Sequence, residues 1–248
     1  MRAGYNSRLL CLLRAKLFGP SGSAVLIMLV FSIPVPVLAD GALPPFEDLR
    51  ALNYPKETRK ELEFEFGEQE VSVAAVQEAQ AMVQRTQLLE KTQVALIDVA
   101  LARMKSAAAH AKLATFDGDD KGAEQWELEA EQWGVLVEWR RLEAKAIAAG
   151  RRHAQAKLNW SKSGAATAEA RVEQALIDAY RRHFDDAPKV QKALARATRK
   201  LLSRQRPKEH NEGLMEQAQN AAETSRATAD SYRAEQDVDR LLRMLSAK

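Results

Sequence analysis

The 248-residue sequence contains a single cysteine, Cys11, close to its N-terminus. If the N-terminal segment is removed, the remaining chain can form no disulfide bond, thiolate metal site or cysteine nucleophile. Glycine is also scarce, at 11 residues, and no Gly-rich phosphate loop or Gly-x-Ser-x-Gly turn occurs. The signatures of nucleotide-binding enzymes and of serine and cysteine hydrolases are therefore missing.

Histidine is equally sparse and badly spaced for metal binding. None of the four histidines lies three or four residues from another, so no helix presents a histidine pair to a metal ion. The Glu-x-x-His motif of di-iron bundles and the Cys-x-x-Cys-His motif of haem attachment are absent as well. We expect no metal site, no cofactor and no catalytic residues, and we do not expect an enzyme.

Residues 1–39 hold four basic residues and no acidic ones. An apolar run, Ala24–Phe31, is followed by Pro34 and Pro36, and Val37-Leu38-Ala39 ends with a small residue. This layout predicts a signal peptide that is cleaved after Ala39, and hence a periplasmic or exported protein. The alternative is an uncleaved segment that anchors the chain in the inner membrane, although the run is shorter than the roughly 20 residues of a spanning helix.

The net charge depends on this segment. The full chain has 37 basic and 34 acidic residues, and removing the four basic residues of the segment leaves 33 against 34. The basic isoelectric point is therefore a property of the N-terminus. It gives no support to a nucleic-acid partner, which would need a basic domain.

Proline is absent from residues 71–160, where helix-forming residues dominate. Apolar and small residues recur there at spacings of three, four and seven, which indicates helices that pack along one stripe. One such stripe is Ala79, Thr86, Gln93, Ala100 and Ala107. The pattern predicts an all-α fold built on a coiled-coil-like antiparallel hairpin, with helices at about 71–115 and 119–160.

The turn of this hairpin is Phe116–Gly122. Its aspartates are typical of a calcium loop, but the fifth and twelfth positions hold Lys121 and Leu128 instead of oxygen ligands. We therefore expect a helix that stops at Gly118, and a next helix capped by Asp119 or Asp120.

The rest of the chain divides at prolines, glycines and charge runs. We expect three domains: a signal peptide at 1–39, an extended arm with an acidic segment at 40–70, and a helical bundle at 71–248. For Glu57–Glu70, the alternation of Leu62, Phe64 and Phe66 leaves strand, helix and irregular structure open. The later elements are predicted as a turn at 161–164, a helix at 165–184, a break at 185–188, a helix ending near Arg206, and a last helix at 207–245.

Two surfaces are candidates for interaction. Helix 119–160 carries a second apolar face with Trp126, Trp133 and Val137, and one antiparallel partner cannot cover both of its faces. The later helices can cover that second face in a closed monomer; otherwise it is an interface. The second candidate is a basic stripe, which can bind an anionic surface or pair with the acidic segment. Its members are Lys189, Lys192, Arg196, Arg199 and Lys200.

These features favour an exported cell-envelope scaffold or adaptor that acts by protein–protein interaction or self-association. Such a protein could be a component of a secretion or transfer assembly. A periplasmic holdase-like chaperone is one alternative, and a small-ligand-binding bundle that uses the tryptophans is another. Residues 189–206 are a candidate contact with an anionic membrane surface.

Overall fold

A computed structural model describes residues 43–246, and in this part of the chain every regular element is a helix. Helices make up 92% of these residues, which confirms the predicted all-α class. The predicted signal peptide, residues 1–39, lies outside the described residues. The elements are α1 (Phe46–Ala51), α2 (Lys56–Phe116), α3 (Asp120–His183), α4 (Pro188–Glu235) and α5 (Val238–Ser246).

Helices α2 and α3 form the predicted antiparallel hairpin. At its turn, Gly118 adopts a φ of 75°, which a residue with a side chain rarely adopts. The Gly118 N–H donates to the Thr115 carbonyl and the Asp119 N–H to the Ala114 carbonyl, which completes a Schellman motif. The Asp119 carboxylate then accepts from the Gly122 N–H at 3.0 Å and caps α3. The sequence prediction for this turn is confirmed.

The extended arm is shorter than predicted, because α2 begins at Lys56 and not near residue 71. The acidic segment is therefore helical, and Gly67 lies inside the helix. Leu62 is buried against Val172 and Leu176 of α3, whereas Phe64 points to solvent. The spacing of Leu62 and Phe64 therefore does not indicate a strand. In the helix, Leu62 lies on the packed side and Phe64 on the exposed side.

Helix α3 is also longer than predicted, because it runs through Ser161–Gly164 without a turn. Ser161 is buried there. The Thr167 hydroxyl donates to the Ser163 carbonyl and to the Arg204 carbonyl of α4. Contacts with a neighbouring helix outweigh the weak helix propensity of serine and glycine at this point.

The predicted helix end at Arg206 is wrong, because α4 continues through Pro207 to Glu235. The break between α3 and α4 at Asp185–Ala187 is confirmed, and Pro188 occupies the first turn of α4. A proline inside a helix removes one backbone donor. Ala197, which precedes the proline in α4, and Ala229, which follows it, are both buried. Helix α4 is therefore packed both before and after Pro207. The chain breaks instead at Asp237, which has a φ of 44°.

Helix α3 lies between its two long neighbours. Helix α2 packs along one side of α3 and α4 along another, and within residues 43–246 the α2 and α4 backbones do not contact each other. Near the turn end of the hairpin, Val238 of α5 packs on Leu136 and Trp139. The hairpin tip lies beyond these contacts.

Candidate interaction surfaces

The face of α2 that packs on α3 is a coiled-coil seam. Its positions alternate by three and four from Thr58 to Ala111, and each one is buried or half-buried. The predicted stripe from Ala79 to Ala107 is part of this seam. Its buried polar member, Gln93, donates to the Arg140 carbonyl at 3.1 Å and to the Glu143 carboxylate at 2.8 Å. The seam is therefore closed, and its buried amide is hydrogen-bonded.

The opposite face of α2 carries a second row with the same alternating spacing, which we call the outer row. It starts at Phe64 and ends at Phe116, and only Glu78 and Arg85 among its 16 positions are charged. Six large apolar side chains of the row are between 57% and 88% exposed. They are Phe64, Val71, Leu88, Val99, Leu113 and Phe116.

The outer row has the chemical pattern of a helix-packing seam but no helix against it. Between the large residues stand small ones: Gly67, Ala74, Ala81, Ala95, Ala102, Ser106 and Ala109. Small residues let a second backbone approach closely, and the large ones fill the gaps between its side chains. Because α4 packs on α3 and not on α2, no helix among the described residues covers this row. Contiguous apolar surface of this kind is unusual on a monomer without a binding role.

The four tryptophans, Trp126, Trp133, Trp139 and Trp160, are spread along α3. Since α3 is one continuous helix, Trp126 and Trp160 are separated by roughly 50 Å. Trp126 stacks on His110 of α2 with ring centroids 4.7 Å apart. Trp133 instead packs against the Leu136–Trp139–Val238 cluster, together with α5 leucines. The four indoles therefore do not form one cage.

The chain itself covers most of the second apolar face of α3. Val137 is buried, Trp133 is half-buried beside α5, and Trp126 is 36% exposed near the tip. The Trp133 indole N–H donates to Glu129 at 3.4 Å. The arrangement favours the closed-bundle alternative for Trp133 and Val137, which leaves Trp126 as the accessible member of this set.

The basic stripe of α4 is exposed or half-exposed at all five predicted positions. Lys200 binds Glu173 of α3 at 2.6 Å, and Lys189 also has an interaction partner. The acidic segment does not pair with this stripe. Glu61 and Glu65 instead face Arg182 and Arg171 of α3, at 3.0 and 3.9 Å.

A small polar cavity that the sequence did not indicate lies between α2 and α3, beside Lys208 of α4. Its volume is about 110 Å³, and Glu68, Ser72 and Arg171 contribute to its lining. The buried Trp160 indole nitrogen and Ser161 hydroxyl have no hydrogen-bond partner among the described residues. Ser161, Gly164 and Ala168 contribute small side chains to its lining.

Ionisation is perturbed mainly at tyrosines. Burial raises the pKa of Tyr54 to about 12, with a smaller contribution from Tyr180. Burial also raises the pKa of Tyr180 and of Tyr232. At the joint between α4 and α5, a hydrogen bond from Arg233 to Asp239 raises the pKa of that guanidinium. Tyr54 and Tyr180 both pack against Phe184, whereas Tyr232 and Arg233 lie at the other end of α4.

Residues 43–246 contain no cluster of three or more histidine, cysteine or acidic side chains able to hold a metal ion. No helix in the same range is long and apolar enough to cross a membrane. The outer row is thus the most extensive unexplained feature of the described structure. In the sequence, the outer row is visible as a second three-four repeat on α2. Periodicity alone, however, does not tell which of the two stripes faces α3.

Comparison with protein-family models, with curated proteins and with solved structures found no match to this chain.

Proposed function

We propose that the protein is an exported helical scaffold or adaptor of the cell envelope that acts by binding another protein along the outer row of α2. The observation that carries this proposal is the apolar row from Phe64 to Phe116, which matches a packing seam and has no described helix against it. Burial of such a row in an assembly would remove large apolar side chains from water.

The way α2 is held supports a scaffolding role. Helix α2 has 61 residues and is roughly 90 Å long, and α3 packs along its opposite face. The outer row is therefore presented on a helix that is already folded. Binding of a partner then costs little conformational entropy in α2. A preformed rod suits an adaptor that bridges components of an assembly, such as a secretion or transfer apparatus.

The proposed location rests on the N-terminal sequence. The basic start, short apolar run and Val37-Leu38-Ala39 are those of an export signal. N-terminal sequencing of the protein from its native cell should therefore begin at Asp40. Recovery of Met1 in a membrane-bound product would indicate an anchored protein instead.

The test of the interaction surface is site-specific photocrosslinking in the native cell. A photoreactive amino acid replaces Leu88 or Val99 in the outer row, or Gln80 or Gln87 as controls. The controls are exposed on the same helix but outside the row. We expect discrete protein adducts from the row positions and none from the controls. No adducts from the row, or equal adducts from all four positions, would refute the proposal.

One observation favours the holdase alternative, namely the exposed apolar side chains at the hairpin tip. Phe116 is 88% exposed, and Leu113 lies one turn before it. A holdase should suppress aggregation of a heat-denatured model protein, and Leu113→Ser/Phe116→Ser should lose that effect. A scaffold should show no suppression in either form.

A further inference from the structure

The charges beside the outer row change sign along α2. On one flank, Glu63 and Glu70 stand near the start of the helix, Lys91 and Asp98 near its middle, and Lys105 and Lys112 near its end. On the other flank, Glu68 precedes Arg103 in the same order. All eight side chains are exposed, and none forms an ion pair within residues 43–246. A helix with this polarity is complementary to itself when reversed.

We propose that the outer row binds the outer row of a second copy of this chain in an antiparallel arrangement. This inference rests on the proposed function and names the partner. One register places Glu63 opposite Lys112 and Glu70 opposite Lys105, each twice by symmetry. Charged pairs that flank a helix seam set the orientation of the partners. A parallel pair in register would place the acidic segments side by side.

The same register also pairs a large side chain with a small one in three layers of the seam. In an antiparallel seam that aligns Glu63 with Lys112, Phe64 meets Ala109, Val71 meets Ala102, and Val99 meets Ala74. Each of these layers combines a large side chain with a small one, which is how facing helices interdigitate. Side-chain volume in these three layers is therefore compatible with the alignment that the flanking charges favour.

The charged members of the row fit this arrangement at the centre of the seam. Glu78 forms an ion pair with Lys157 of α3, in which its carboxylate lies 3.2 Å from the ammonium group. Arg85 falls opposite Leu88, where its aliphatic stem can cover the leucine while the guanidinium stays in water. The symmetric seam extends from Phe64 to Ala109, roughly 68 Å.

The approach of a second copy is open on the described part of the chain. The seam with α3 lies on the other side of α2, and the α4 backbone makes no contact with α2. Pairing through the outer row would therefore place the two α2 helices at the centre, with each α3 on the outside. Both buried faces of α2 would then be helix seams.

Disulfide trapping tests the register directly. In a Cys11→Ser background, Phe64→Cys/Ala109→Cys places two thiols 45 residues apart on one continuous helix. They are roughly 68 Å from each other within a chain, so a disulfide between them must join two chains. We expect a covalent dimer after mild oxidation of the double variant. Phe64→Cys alone should stay monomeric on a denaturing gel, whereas a parallel pair would crosslink it.

Charge exchange provides a second test that does not depend on cysteine. Glu63→Lys/Glu70→Lys and Lys105→Glu/Lys112→Glu should each weaken self-association at least tenfold in sedimentation equilibrium. An equimolar mixture of the two variants should form a heterodimer, because all four flanking pairs become attractive again. Unchanged self-association of either variant alone, or a mixture that remains monomeric, would overturn the proposed pairing.

The outcomes separate this inference from the proposed function. If the wild-type chain is monomeric at all concentrations while Leu88 and Val99 photocrosslink to a different protein, the antiparallel pair is wrong and the scaffold proposal stands. If the row yields neither a self-crosslink nor any other adduct, both fail. A row that is protected in a monomer, covered by residues 1–42 of its own chain, would also overturn the pairing.

Discussion

At the scale of single residues, the hairpin depends on a few side chains and backbone positions with clear physical roles. Gln93 fills a buried seam position and Gly118 allows the turn between α2 and α3. Tyr54, just before α2, packs against Val172 and Leu176 of α3. Substitution at each position tests its role.

Alanine substitution of Gly67 and of Gly118 should change the free energy of unfolding in opposite directions. Gly118 has a φ of 75°, so Gly118→Ala should lower the free energy of unfolding by about 1 kcal/mol. Gly67 is helical, and a Cβ added there would meet no atom within 4 Å, so Gly67→Ala should raise it by roughly 0.5–1 kcal/mol. Urea denaturation followed by circular dichroism measures both, and equal signs would contradict the turn geometry.

Replacement of Gln93 tests the buried amide of the seam. Gln93→Ala removes three hydrogen bonds to α3 and should cost about 1–3 kcal/mol of stability. The matched control is Gln80→Ala, an exposed position on the same helix, which should change stability by less than about 0.5 kcal/mol. Similar small effects of both would show that Gln93 is not held as described.

Tyr54 should make the stability of the fold depend on pH in the alkaline range. Its pKa is raised from 10.0 to about 12 by burial, so folding disfavours the ionised phenolate. The stability it contributes is fully present below pH 10 and is lost as the pH rises through 12. Wild-type protein should lose stability across this window, and Tyr54→Phe should lose less. Parallel pH profiles of the two proteins in chemical denaturation would contradict this role of Tyr54.

At the scale of elements, the hairpin and its turn were predictable and the later helix ends were not. The seven-residue spacing from Ala79 to Ala107 depends only on local sequence, and so do the Gly118 stop and the Asp119 cap. Ser161–Gly164 and Pro207 usually interrupt helices, but contacts with neighbouring helices maintain α3 and α4 there. Local propensity cannot report such contacts.

The outer row lies on α2 and Trp133 lies on α3. Substitutions should therefore distinguish the role of the row from that of the tryptophan. Trp133→Ala removes an indole that packs with α5, so it should lower stability by roughly 3–5 kcal/mol and leave self-association intact. Leu88→Glu/Val99→Glu should abolish self-association and leave the monomer folded, because both side chains are exposed. Thermal denaturation and light scattering measure the two effects, and an interchange of the results would assign the interface to the tryptophan face.

At the scale of the whole molecule, the described chain is a central helix flanked by two others, with its longest exposed apolar row on α2. Helix seams hold α2, α3 and α4 together, and the outer row repeats their pattern on a surface that no described helix covers. We therefore predict that the outer row is buried in the working assembly, whichever protein covers it.

Thiol accessibility in the native cell envelope measures that burial most directly. In a Cys11→Ser background, Val99→Cys reports on the row and Gln80→Cys on an exposed control position of the same helix. We predict that a maleimide labels the Val99→Cys variant at least tenfold more slowly than the Gln80→Cys variant in intact envelopes, and at an equal rate after denaturation. Equal labelling rates of the two variants in intact envelopes would contradict the burial of the outer row.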